Sequence, residues 1–167
     1  MTDWLYALHA EHREEFEMLL RLCFATVSGM AIGLNRDLHG KPIGMRTLGL
    51  VSLASALVVM AGSAYGHVHF EEDAVSRVVQ GILTGIGFLG AGVIIRRQDG
   101  SDVQGLTTAS TVWIAAALGV TAGVGAWFIT IVGNGLALAL LVFGKPVEWW
   151  FSNLFGSRKE TGEGSDG

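Results

Sequence analysis

"GILTGIGFLGAGVII", residues 81–95, contains a G-x-G-x-x-G pattern at Gly85, Gly87 and Gly90. Two folds compete for it. In a dinucleotide-binding βαβ unit, such glycines form a tight turn between strand and helix and let the backbone approach a pyrophosphate. In a membrane helix, small residues four apart let two backbones pack closely where lipid supplies no hydrophobic drive to associate. The surroundings decide between them. These glycines lie inside the uncharged run Val78–Ile95, between other apolar runs rather than alternating strand and helix patterns. Asp102 stands near the distance of a ribose-binding acid, a match that polar loops make by chance. Gly81 and Gly85 form a GxxxG, and Gly87 and Ala91 continue the small-residue spacing. The reading is a glycine-lined membrane helix.

The neighbouring runs agree. A helix needs about 20 apolar residues to cross a bilayer core, with roughly 17 as the lower limit. Met18–Leu34 qualifies, interrupted only by Arg21, and Thr47–Gly66 has no charge. From Gly105 to Phe143 no charge occurs in 39 residues. One helix of that length would measure about 58 Å, so two spans are required, roughly 105–122 and 126–143. The turn between them falls at "TAGVG", Thr121–Gly125. Half of the 167 residues are hydrophobic, 24 are glycine, and 16% are charged; soluble domains carry roughly 25% charge. The fold class is all-α: five transmembrane helices in a compact glycine-rich bundle.

Past the last span, Val147, Trp150, Phe151, Leu154 and Phe155 recur at helical spacing opposite Glu148, Ser152 and Asn153. This predicts a short interfacial helix over 144–155, with its Trp residues at headgroup depth. Residues 1–17 then form an extracytoplasmic N-terminal segment, 18–143 the five-span membrane domain, and 156–167 a disordered cytoplasmic tail. The polar, acidic N-terminus lacks the basic start of a signal peptide. Segments 35–46, 96–104 and 144–167 share one side of the membrane and hold eight of the eleven basic residues. Lys and Arg accumulate in cytoplasmic loops, so the N-terminus is expected outside and the C-terminus cytoplasmic.

Small residues mark packing seams. Ala25, Gly29 and Gly33 line span one; Gly81, Gly85, Gly87 and Gly90 line span three; Thr107, Thr111, Ala115, Gly119 and Gly123 line span four. More such faces exist than five packed helices need. Self-association, as a dimer, is therefore expected. Gln80 and Asn134 read as interhelical glue, and Arg77, like Arg21, as a snorkelling side chain near the outer end of its span.

Several stretches together resemble the membrane domain of the MgtC/SapB family: "GLNRD" (33–37), "GMRTLGLVSL" (44–53), the stretch 81–94, and "GLTTASTVWIAAALG" (105–119). The resemblance covers about residues 20–143 with order and spacing kept. It implies a five-span protein of the bacterial inner membrane, associated with growth in low magnesium and with survival of pathogens in macrophages. It also implies regulatory action on other membrane proteins, the rotary ATP synthase among them. The chain departs from the family pattern at Asn35, often Glu, and at Thr107, often Asn. It resembles the short form without a soluble C-terminal domain.

The candidate site lies at the cytoplasmic ends of spans one, two and four: Arg36, Asp37, Arg46, Thr47, Thr107 and Thr108. Arg36, Asp37 and Arg46 serve either as topology signals with snorkelling side chains or as a polar cluster. In the second reading Asp37 pairs with Arg46 across the loop, Arg36 projects about 100° away from Asp37, and Thr107 or Thr108 lies within hydrogen-bonding reach. Thr107, Thr108, Ser110 and Thr111 either back-bond to their own helix or line a pocket with Asp37 and Arg46. In an extended loop His67, His69 and Glu71 would share a face suited to a transition metal, and Glu71, Glu72 and Asp73 could sense magnesium weakly; whether any metal binds is unknown.

No Asp or Glu falls inside the apolar spans, where an ion or proton pathway usually leaves one. No nucleophile–base arrangement is recognisable, and no cofactor is implied. Cys23 stands alone, so no intrachain disulfide is possible. The net charge of −4 argues against nucleic acid as a partner. The expected function is non-enzymatic regulation linked to magnesium, through helix packing with itself or another inner-membrane protein. The alternative is a Mg²⁺ transporter or channel. The orientation has a direct check: a topology reporter fused after Phe155 should behave as cytoplasmic, and periplasmic activity there would overturn it.

Overall fold

The computed structural model describes residues 3–64, 72–96 and 103–155. Five helices dominate: α1 (Asp3–Leu38), α2 (Met45–Ala64), α3 (Glu72–Val93), α4 (Leu106–Gly123) and α5 (Trp127–Phe155). Each contains a stretch long and apolar enough to cross a bilayer. Between α3 and α4 two short strands, β1 (Ile95–Arg96) and β2 (Val103–Gln104), pair antiparallel with Ile95 opposite Gln104.

The ends of the first and last helices differ from the expected boundaries. α1 begins at Asp3, so residues ahead of span one continue its helix. Residues 144–155 form no separate helix. They extend α5 without a break through Pro146 into one helix of 29 residues, about 43 Å long and longer than a bilayer core. Proline removes one backbone donor, yet the apolar side chains beyond it keep helical spacing. Val147, Trp150, Phe151 and Leu154 are all exposed.

Glycine closes two of the connections. After α1, Gly40 adopts φ 59°, its N–H donates to the Asp37 carbonyl (3.0 Å), and the Lys41 N–H donates to the Arg36 carbonyl (3.1 Å). After α4, Gly125 adopts φ 80°, its N–H donates to the Ala122 carbonyl (3.0 Å), and the Ala126 N–H donates to the Thr121 carbonyl (2.9 Å). Both are Schellman motifs, in which a left-handed residue lets the chain turn back on its helix. The turn expected at Thr121–Gly125 is thus real and tight.

Helices α1, α2 and α4 form the centre, with α3 against α4 and α2, and α5 against α4 and α1. Ile32, Leu48 and Val112 are fully buried there, and Ala25, Ala56 and Ala122 meet with no solvent exposure. Such close packing needs missing side chains. A Cβ on Gly29 would lie 2.7 Å from the Ser52 Cβ; one on Gly33 would lie 2.7 Å from the Met45 nitrogen. On Gly119 it would meet the Ser52 backbone, with the carbonyl carbon 2.8 Å away, and on Gly123 the Ala56 Cα at 3.0 Å. Polar bonds also join α2 to α1 and α5 to α1. The Ser52 hydroxyl donates to the Ala25 carbonyl (2.7 Å), and the Asn134 amide donates to the Ser28 carbonyl (3.3 Å).

Helix α3 behaves differently. Ile86 is buried and Gly90 makes an ordinary contact with the Ala109 Cβ at 3.7 Å, both towards α4. Gly81, Gly85, Gly87 and Gly92 have nothing within 4 Å of where a Cβ would stand. Gly81, Gly85 and Gly92 share their helical face with Phe88, which is 82% exposed.

Gly119→Ala should therefore destabilise the protein in detergent by about 1–3 kcal/mol, because the Ser52 backbone cannot yield without moving α2. Gly81→Ala meets nothing and should be neutral or stabilising by up to about 1 kcal/mol through helix propensity. Thermal unfolding of the two variants provides the check; equal midpoints would contradict the close approach of α2 and α4.

Candidate functional site

One end of the bundle brings together the C-terminus of α1 and the N-termini of α2 and α4. Asp37 is in the last turn of α1, and its Oδ2 accepts a hydrogen bond from the Met45 N–H (2.9 Å), the first residue of α2. A carboxylate at a helix N-terminus satisfies an otherwise unpaired donor and complements the dipole. Gly44 makes room for it, since a Cβ there would run into the Asp37 carboxylate. The chain enters α2 through Ile43 at φ 64°, a conformation β-branched residues rarely adopt. The Ile43 side chain nevertheless packs against the core around Leu48.

Arg36 turns the other way. It is 5% exposed, and its Nη2 donates to Oγ1 of Thr108, which is itself buried. Thr108 lies in the first turn of α4, whose N-cap position is Gly105 at φ 95° with no side-chain cap. Gly105 is required by position as well as by φ: a Cβ would strike the Val93 carbonyl at the end of α3. The Arg36 Nε is buried without a partner. Among the described residues no carboxylate lies within ion-pair distance of this guanidinium; the ion pair that is seen joins Arg21 to Glu17.

The six expected site residues thus separate. Arg36 and Thr108 meet and are buried, Asp37 caps α2, and Arg46, Thr47 and Thr107 are exposed. No ion pair joins Asp37 to Arg46. The carboxylate instead sits over the first N–H of α2, and Arg46, one residue on, is exposed. Span-four hydroxyls mostly back-bond: Ser110 donates to Leu106 (3.0 Å) and Thr111 to Thr108 (2.7 Å).

The Arg36–Thr108 contact had a legible signal. Ala25, Gly29, Ile32 and Arg36 fall at i, i+4, i+7 and i+11, all on the buried face of α1. Arg21 begins the same row, and its Nη1 donates to the Gly123 carbonyl at the far end of α4 (3.2 Å). Of the expected helix-packing residues, Gly29, Gly33, Gly119 and Gly123 lie at close approaches, Gly90 at an ordinary contact, and Gly81, Gly85 and Gly87 against open space. Arg77 and Gln80 are exposed. His67, His69 and Glu71 lie outside the described residues.

Five apolar helices around a buried small-residue core define a multi-pass bacterial membrane protein. The chain belongs to the MgtC family, which it matches over residues 22–150. It is 46% identical to the protein SrpB of Synechococcus elongatus over 129 residues, covering 72% of this chain and 71% of that one. It is 36% identical to the "Putative magnesium transporter YhiD" of Escherichia coli over 133 residues, 75% of this chain and 59% of that one. To the protein MgtC of Salmonella typhimurium it is 35% identical over 127 residues, 76% of this chain and 50% of that one. The chain therefore spans between about half and seven tenths of these relatives' lengths. No solved structure matches it.

Two experiments distinguish the observed contacts from the expected ion pair. Thr108→Val should cost about 1–3 kcal/mol by removing an acceptor from a buried cation. A double-mutant cycle of Asp37→Asn and Arg46→Gln, read as thermal stability in detergent, should be additive within about 0.5 kcal/mol. A larger coupling energy would restore the Asp37–Arg46 pair.

Proposed function

We propose that this protein is a non-enzymatic inner-membrane regulator linked to magnesium homeostasis, acting by helix packing with a second copy of itself or with another membrane protein. The carrying observation is the glycine row on α3. On α1 and α4 the same small-residue spacing is filled by a neighbouring helix, whereas Gly81, Gly85 and Gly92 line an outward face that nothing among the described residues covers. Glycine in a membrane helix forfeits helix propensity and side-chain packing unless another backbone approaches it. The link to magnesium rests on the family and on the name given to the Escherichia coli relative. The N-terminus would lie outside and the C-terminus in the cytoplasm, following the basic residues.

A Mg²⁺ transporter or channel is the second reading, favoured by that relative's name and by the buried hydroxyls of Ser28, Ser52, Ser55, Thr111 and Thr130 inside the bundle. Hydroxyls and carbonyls can line a path for a hydrated ion, but Ser52, Ser55, Thr111 and Thr130 each donate to a backbone carbonyl of the bundle.

The two readings are separable. In a Cys23→Ser background, Gly85→Cys in native membranes should form a disulfide-linked dimer or a crosslink to one defined membrane protein, and Ile86→Cys, buried against the chain's own helices, should not. Absence of any Gly85→Cys adduct, together with Mg²⁺ uptake by purified protein in proteoliposomes, would replace regulation with transport.

A further inference from the structure

Helix α4 has an arginine from α1 at each end, and the two are treated unequally. At the C-terminus Arg21 meets groups that complement a cation, the Gly123 carbonyl and the Glu17 carboxylate. At the N-terminus Arg36 meets, among the described residues, the neutral Thr108 hydroxyl and no carboxylate. The helix dipole makes that end positive, so a cation there is repelled rather than held. Both arginines leave a buried Nε without a partner, but Arg36 is 5% exposed and has no carboxylate beside it among the described residues, whereas Arg21 has Glu17. Burying a guanidinium without a counter-ion is strongly unfavourable.

The start of α4 is also short of acceptors. Gly105 provides no cap, and among the described residues the N–H groups of Leu106, Thr107 and Thr108 make no hydrogen bond. The adjacent α2 shows what such an end looks like when an anion is built in, with the Asp37 carboxylate on its first N–H. No described side chain does the same for α4. A buried fork with an unpartnered N–H, an uncapped helix N-terminus and the exposed Thr107 beside it are all donors, and together they complement an anion.

The geometry points to an oxyanion site at the N-terminus of α4, where a phosphate group is held between the Arg36 guanidinium and the first-turn N–H groups, with the Thr107 and Thr108 hydroxyls at its edge. A guanidinium matches two phosphate oxygens through parallel N–H donors, and the helix end supplies backbone donors and a favourable dipole. The same chemistry fits inorganic phosphate and the headgroup of an anionic phospholipid. The site stands on this geometry alone and is independent of whether α3 docks a partner.

The test is thermal unfolding of the full chain in uncharged detergent, in three arms: chloride, inorganic phosphate at equal ionic strength, and phosphatidylglycerol mixed micelles set against phosphatidylcholine ones. At a hundredfold excess over Kd a bound oxyanion should raise the midpoint by roughly 5 °C. A rise with inorganic phosphate identifies a soluble ligand; a rise with phosphatidylglycerol alone identifies a lipid headgroup. Arg36→Gln should abolish the rise. Arg36→Lys keeps the charge without the fork and should reduce it at least severalfold, which covers the case where Arg36→Gln does not fold. No rise in the wild-type protein with either anion, or a rise of unchanged size in the variants, overturns the site.

Discussion

The structure depends on how closely α2 approaches its two neighbours, and Ser52 is where that is decided. Its backbone faces Gly119 of α4, its Cβ faces Gly29 of α1, and its hydroxyl donates to the Ala25 carbonyl. In lipid the helices gain nothing by hiding apolar surface from one another, so dispersion contacts and interhelical hydrogen bonds hold them. Both fall off steeply with distance. A methyl group at Gly29 or Gly119 would push α2 off one side and weaken the contacts along that whole interface. The fully buried Ala25, Ala56 and Ala122 further along extend the same close approach.

Because α1, α2 and α4 are this close, groups on one helix can complete the ends of another. Asp37 leaves α1 and supplies an acceptor to the start of α2, while Arg21 leaves α1 and donates to the last carbonyl of α4. Helix ends carry unpaired backbone groups, and in a bundle with short connections the neighbouring helix is the nearest source of partners. Arg36 belongs to the same set by position but ends on a hydroxyl, which leaves this buried charge without a carboxylate among the described residues. Arg21 and Asn134 also keep one buried polar atom each without a partner, but Arg21 is offset by the Glu17 carboxylate and Asn134 is neutral.

The outer helices are held more loosely. α5 reaches α1 through the Asn134–Ser28 bond and the edge contact of Phe24 with Trp127, whose ring centres lie 5.3 Å apart. Much of its length carries exposed side chains such as Phe128, Leu136 and Leu140, suited to lipid. α3 buries Ile86 towards α4 and turns glycines outward. An apolar helix with large side chains outward is content in lipid, whereas one with glycines outward leaves backbone surface without close contacts. α5 also leaves Gly135 and Gly144 open, but these fall on opposite faces of the helix, whereas Gly81, Gly85 and Gly92 share one face of α3. That contrast between α5 and α3 supports a protein partner for α3.

Span number, the tight turn near Gly125 and the small-residue seams were legible in the residues themselves. Hydrophobic length, charge-free runs and small-residue spacing are local properties that the bilayer turns directly into helices. Two things were not. Which glycine seams are used inside the chain depends on how the helices are arranged: Gly29, Gly33, Gly119 and Gly123 meet backbone, Gly81 and Gly85 meet nothing, and their spacing is the same. Likewise, the short loop between spans one and two suggested that Asp37 and Arg46 would pair across it. The rotation of α1 instead sends Arg36 inward to Thr108 and leaves Asp37 over Met45. Pattern says which residues can be buried or paired; only the three-dimensional neighbours of each helix face decide which of them are.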